Sequence, residues 1–188
     1  MGGDTEKVNL HIATLDAAAV LAEMNNSAVP DVNRIDDRKA RWLIAHARLA
    51  ASATLDDRAA GVIVVLDDTA ALPSEYFQWF TARYRNFLYI DRVIVAAWAR
   101  RRGVATQLYR EVDRLANEHN LAVASEVYCD PPNAPSLTFH AKMGYVEIGQ
   151  QLSRAEGKTV SKLMKYREKA ERIGAAPPPA RPTHPHSV

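Results

Sequence analysis

The sequence predicts an α/β fold in which short strands and helices alternate along one chain. Gly61-Val62-Ile63-Val64-Val65-Leu66 is an almost unbroken apolar run, the pattern of a central strand covered on both faces. Val104, Leu108, Val112 and Leu115 recur at spacings of four, four and three, which places them on one side of a helix. The chain has 188 residues, 47% hydrophobic and 24% charged, which suits one folded domain and excludes a disordered chain, a collagen-like fibre and a small disulfide scaffold.

The elements follow in order. Val8 to Ala13 alternates apolar and polar residues, as a first strand does. Asp16 is placed to cap a helix through Asn25 whose face is Ala17, Val20, Leu21 and Met24. Residues 26–33, with Pro30, read as a loop, and Asp36 or Asp37 starts a second helix striped by Ala40, Leu43, Ile44 and Ala47. Leu49 to Leu55 and Gly61 to Leu66 read as strands joined through residues 56–60. The aromatic stretch 69–87 reads as a loop with a short helix, its rings serving packing. Phe87 to Val95 is the next strand, and a charged link leads to Gly103 and a helix reaching about Asn117. Leu121 to Cys129 is a strand stopped by Asp130-Pro131-Pro132-Asn133, and Ser136 to Lys142 is a short helix ending at Gly144. Tyr145 to Ile148 begins another strand, beside which Val160 to Tyr166 pairs.

Residues 1–170 read as the single domain and 171–188 as a flexible tail, since the last fifteen residues hold five of the ten prolines. Neither a signal peptide nor a membrane-spanning run is expected, and Glu6 stands where a myristoylation motif needs Ser or Thr. Cys129, the single cysteine, cannot form an internal disulfide and suits a reducing cytoplasm; a buried strand position is its expected role. His184 and His186 lack further ligands, so no metal is expected. The net charge of +2 conceals a polarity: residues 1–75 carry −5 and residues 76–188 carry +7. A basic half suggests an anionic partner.

The chemistry concentrates where a strand runs through a basic turn into a helix: Asp91 to Val95, then Arg100-Arg101-Arg102-Gly103-Val104-Ala105-Thr106. A helix start offers unpaired N–H groups and partial positive charge, which suit phosphate. Gly103 and the small Ala105 let an anion approach the backbone closely. The stretch is neither a Walker loop nor a dinucleotide fingerprint, for it lacks the lysine of the first and the glycines of the second. Arg100, Gly103 and Ala105 instead fill the Q/R-x-x-G-x-G/A pattern, and Asn133, Ser136, Phe139, His140, Gly144 and Tyr145 fill a downstream N-x-x-A/S-x-x-F/L-Y-x-x-x-G-F/Y pattern, with His at the Tyr place. Together the two resemble the GNAT superfamily of acetyl-CoA-dependent N-acetyltransferases, over about Val8 to Tyr166.

The resemblance implies a mixed, twisted sheet of six or seven strands flanked by about four helices. It implies acetyl-CoA as co-substrate, with its pantetheine arm between the fourth and fifth strands against the backbone of Val93, Ile94 and Val95. The N–H groups of Arg101 to Thr106 would hold the pyrophosphate, and Asn133, Ser136 and Phe139 would line the arm. Direct transfer to an amine needs a base, and a carboxylate is a natural one. Glu126, sharing a face with Ala124 and Tyr128, is the first candidate, and Asp91, sharing a face with Tyr89 and Val93, is the second. His140 as imidazolium, Tyr145, Tyr128 or solvent would protonate the thiolate.

The acceptor is expected to be a primary amine of a small molecule or peptide. It is drawn as a cation to Asp16, Glu23, Asp31, Asp36 and Asp37, which outnumber Arg34 in residues 15–37. A homodimer stays open; nucleic acid and membrane are not expected partners. An acyl-CoA-binding module with little transfer activity is the competing reading, and a nucleic-acid binder built on Arg100–Arg102 comes last.

Overall fold

A computed structural model describes residues 7–30, 32–153 and 156–167. The expectations for residues 1–6, Asp31 and the tail 171–188, with His184 and His186, lie outside the described residues. Seven strands, β1 (Val8–Ile12), β2 (Leu49–Leu55), β3 (Arg58–Asp67), β4 (Phe87–Val95), β5 (Ala122–Asp130), β6 (Val146–Ser153) and β7 (Lys158–Lys165), form one sheet in the order β1-β2-β3-β4-β5-β7-β6. Only β4 and β5 pair in parallel; every other neighbouring pair is antiparallel. Among the described residues the mixed sheet carries five helices: α1 (Ala18–Ser27), α2 (Asp37–His46), α3 (Glu75–Thr81), α4 (Val104–His119) and α5 (Ala134–Lys142).

The unbroken apolar run of β3 is explained by a core on each face. Val62, Val64 and Leu66 meet Leu21, Leu43, Phe77 and Phe80 of the first three helices. Ile63 and Val65 meet Val104, Leu108 and Val112 of α4. Gly61 permits close contact between β3 and the start of α4, because a Cβ there would stand 2.7 Å from Val104 Cγ1 and 3.1 Å from the Ile94 carbonyl oxygen.

Several boundaries differ from expectation for identifiable local reasons. The link 56–60 is really a two-residue turn: Asp56 and Asp57 take φ of 51° and 57°, so β3 begins at Arg58. Asp16 does not cap a helix. The chain makes a 3-10 turn at Leu15–Ala17, closed by Ala17 N–H on the Thr14 carbonyl, and α1 begins after it. Asp36 does cap α2, accepting from Lys39 N–H at 2.7 Å. Asn133 caps α5 in the same way, accepting from Ser136 N–H at 3.1 Å, so that helix starts earlier than Ser136.

Candidate active site

β4 and β5 pair only at Phe87–Ala122, Leu88–Val123 and Tyr89–Ala124, and then part. A bulge in β4 accompanies the parting: Val64 and Val65 of β3 face Arg92 and Ile90, so Asp91 has no partner across the ladder. The extra residue also reverses the alternation of β4. Tyr89 lies in the core under α3, whereas Val93 packs toward α4, which corrects the expectation that Asp91 shares one face with both. Beyond the bulge Val93, Ile94 and Val95 stay paired with β3, leaving the other edge of β4 open.

The opening is a groove of about 1150 Å³. At one end stands the start of α4. Arg101 and Gly103 both have left-handed backbone, φ 63° and 82°, and the N-cap Gly103 supplies no side chain to cap the helix. The first intrahelical bond is Gln107 N–H to the Gly103 carbonyl, which leaves the amides of Val104, Ala105 and Thr106 available to an anion. Arg100, Arg101 and Ala105 line the groove. Arg102 departs from the expected cluster: its guanidinium donates to Asp56 at 3.1 Å and lies over the Trp98 ring. Val93, Ile94, Val95, Asn133, Ser136 and Phe139 line the walls between the two ends, as the arm of a long ligand would require.

Glu126 projects from β5 into the region where the strands part and lines the same groove. Its Oε1 accepts from the Tyr89 hydroxyl at 2.7 Å, while its Oε2 is shielded from solvent and has no hydrogen-bond partner among the described residues. Burial pushes this carboxyl up, the Lys162 charge and the Tyr89 hydrogen bond pull it back, and Asp91 and Glu156 add repulsion, leaving it at about 7. A carboxyl in that range can exchange protons near neutrality. Asp91 is otherwise engaged: Arg92 donates to it at 2.6 Å and also to Asn25 Oδ1 at 2.7 Å.

His140 is buried at 3% exposure with both ring nitrogens occupied. Nδ1 lies 2.8 Å from the Ser136 carbonyl oxygen and Nε2 lies 2.8 Å from the Tyr109 hydroxyl. Burial holds its pKa below the ordinary histidine value, against the opposing hydrogen bond to Ser136, so the imidazolium expected here is disfavoured. Tyr145 is not brought to the groove. It is buried against Tyr109 and His140, its hydroxyl has no partner among the described residues, and burial raises its pKa well above the usual phenol value.

Another part of the groove is assembled by Glu156, in the turn between β6 and β7. Its carboxylate accepts from Asn33 Nδ2 at 3.0 Å, Tyr76 hydroxyl at 3.1 Å and Tyr128 hydroxyl at 2.7 Å, binding four chain segments together. Tyr76, expected to serve only packing, therefore borders the groove. Among the described residues the expected acidic rim does not form: Asp36 caps α2, Asp37 pairs with Arg41, and Asp16 and Glu23 lie off the groove, which Arg34 and Lys39 line instead. Cys129 is partly buried, its Sγ donating to the Thr159 carbonyl. Tyr109, Glu156 and Lys162 escaped the motif reading. For Lys162 a signal existed: it falls between the apolar Val160 and Met164 on one face of its strand.

Fold and groove together define a mixed α/β domain whose parted strands open a groove lined by the uncapped start of α4 and by a shielded carboxylate. The model of the acetyltransferase (GNAT) family matches residues 19–145, and the chain belongs to that family. No curated protein sequence matches it. Among solved structures, Ard1 from Thermoplasma volcanium superposes with a TM-score of 0.67 at 15% identity, covering 84% of this chain and 96% of that one. Arabidopsis thaliana NAA60 in complex with acetyl-CoA gives 0.67 at 14% identity, over 86% of this chain and 100% of that one. Arabidopsis thaliana Naa50 in complex with the bisubstrate analogue CoA-Ac-MVNAL gives 0.67 at 18% identity, over 85% and 99%. At such identities the likeness is one of fold. Among the described residues no helix is long and apolar enough to cross a membrane, and no three His, Cys, Asp or Glu side chains group as metal ligands do.

Proposed function

We propose that this protein is an N-acetyltransferase moving an acetyl group directly from acetyl-CoA to a primary amine of a small molecule or peptide. One observation carries the reading: the groove that begins at the uncapped start of α4 passes between the parted strands to Glu126, whose Oε2 has no partner among the described residues. The acetyl-CoA and bisubstrate complexes of its structural relatives support it. The single Cys129 suits a reducing cytoplasm as the place of action, and residues 1–170 constitute the working domain, followed by a tail over 171–188.

Acetyl-CoA supplies the acetyl group as an activated thioester. The amides of Val104, Ala105 and Thr106, with Arg100 and Arg101 nearby, suit its pyrophosphate, and the open edge of β4 at Val93–Val95 suits the pantetheine amides. An amine arrives protonated. Glu126 takes one proton, directly or through water, and the freed nitrogen lone pair attacks the thioester carbonyl. The N–C bond forms, the C–S bond breaks with its electron pair left on sulfur, and the nitrogen sheds a second proton. One of the two protons ends on sulfur and the other in solvent. An acid near 7 is stronger than an ordinary thiol at about 8.5, so Glu126 can itself return a proton to the thiolate. A neutral His140, with both nitrogens engaged, orders the wall through Tyr109 rather than delivering that proton.

Thiol release from acetyl-CoA across a panel of amines, amino acids and peptides tests the reading; at least one acceptor class should be turned over. The buried His140 at the usual Tyr position favours a second reading, a module that holds acyl-CoA without transferring it. Tight acetyl-CoA binding with no thiol release from any acceptor would establish that alternative.

A further inference from the structure

Lys162 is fully buried, at 0% exposure, and stands directly opposite Glu126 in the β5–β7 ladder. Cross-strand partners direct their side chains to the same face of a sheet. The ammonium donates to the Tyr76 carbonyl oxygen at 3.2 Å and lies over the rings of Tyr76, Phe80 and Trp79 at 4.6, 5.0 and 5.7 Å. Among the described residues no carboxylate comes within ion-pair distance of it, and lysine is almost never so buried unless paired.

The charges around the pair come from every side. Glu126 is faced by Tyr89 and Asp91 of β4, Tyr109 of α4, Glu156 of the β6–β7 turn and Lys162 of β7. Lys162 is faced by Glu126, by Glu75 of α3 and by Arg83 just beyond α3. Burial drives each partner toward its neutral form, and each opposes that in the other: Glu126 settles at about 7 and Lys162 at about 8. The negative neighbours of Glu126 would otherwise favour the protonated acid, which cannot accept a proton.

We propose that Lys162 is a positioning residue that keeps Glu126 in its carboxylate form, ready to take a proton from the incoming ammonium. In that step R–NH3+ and the carboxylate become R–NH2 and the carboxylic acid, and Lys162 remains an ammonium throughout. The catalytic purpose rests on the N-acetyltransferase reading; the coupling between the two side chains does not.

The test follows the Glu126 carboxyl by carbon-13 NMR in the full chain, its resonance identified by loss in Glu126→Gln, and compares wild type with Lys162→Met. Methionine matches the length of the lysine stem and suits the aromatic surroundings. The Glu126 midpoint should rise by one pH unit or more, a factor of about ten in its proton affinity, and the acid limb of kcat/KM should rise with it. Reciprocally, Glu126→Gln should lower the Lys162 midpoint, and this arm decides should Lys162→Met fail to fold. Unchanged midpoints overturn the proposal and leave Lys162 a packing residue. If no amine is acetylated, the titrations still read the coupling, so failure of the transferase reading is distinguishable from failure of this one.

Discussion

The Tyr109 hydroxyl and His140 Nε2 stand 2.8 Å apart where α4 meets α5. The Ser136 carbonyl can only accept, so the hydrogen on the ring belongs on Nδ1, and Nε2 accepts from Tyr109. Burial depresses the pKa of this histidine below its unfolded value of about 6.5. Its contribution to stability is therefore present above that value and is lost as pH falls through the folded one. His140→Phe should cost about 1–3 kcal/mol near neutrality, since it leaves the Tyr109 hydroxyl unpaired inside the wall. The gap between variant and wild type should narrow on acidification. Thermal unfolding at several pH values measures both, and nitrogen-15 NMR should find the ring neutral at pH about 7.

Glu126→Gln keeps an acceptor for Tyr89 but cannot take a proton. At saturating substrates it should lower kcat by about 10²–10⁴ while barely altering acetyl-CoA affinity. The wild-type carboxyl, raised to about 7, should impose an acid limb on kcat/KM: activity is present above that value and falls below it. Stopped-flow thiol release across pH checks this, and a persisting limb in the glutamine variant would assign the ionisation to another group.

Gly103 separates backbone strain from charge. Its φ is 82° and a Cβ would touch nothing within 4 Å, so Gly103→Ala is penalised by conformation alone, about 1–2 kcal/mol. Gly103→Glu carries the same strain and adds a carboxylate at the anion end. It should weaken acetyl-CoA binding at least about tenfold beyond the alanine variant, or about 1.4 kcal/mol, with kcat at saturation nearly unchanged. Calorimetric titration of both variants measures the difference.

Glu156 should control the acceptor side. Burial alone pushes its carboxyl up, but hydrogen bonds from Tyr128, Asn33 and Tyr76 with the Lys158 charge outweigh that and hold it below the ordinary value. The stabilisation it provides is present above the unfolded glutamate value and disappears as pH falls through the folded one. Glu156→Ala should raise the acceptor KM several-fold with little change in acetyl-CoA affinity, and hydrogen exchange should quicken at 156–158. A rise in acetyl-CoA Kd of equal size would place Glu156 outside the acceptor side.

The order of elements was legible because its signals are local. The period-two runs, the stripe of α4, the Asp36 cap and the spacing of Arg100, Gly103 and Ala105 all operate within a turn or two of chain. The resemblance carried by those motifs pointed to Val93–Val95 and Phe139, which line the groove, and the period of two put Glu126 on one face of β5 with Ala124 and Tyr128.

What Glu126 can do was set at a distance. Its ionisation depends on Lys162 across the ladder, on Tyr89 across the gap and on Glu156 beyond β6, none of them within reach of a local pattern. The bulge at Asp91, the turning of Arg102 toward Asp56 and the enclosure of His140 by Tyr109 likewise arise from strands and helices meeting across the fold. Backbone propensity and periodicity act over neighbouring residues and so can be read in one dimension. Desolvation and charge coupling act through space, and exist only once the chain has closed around them.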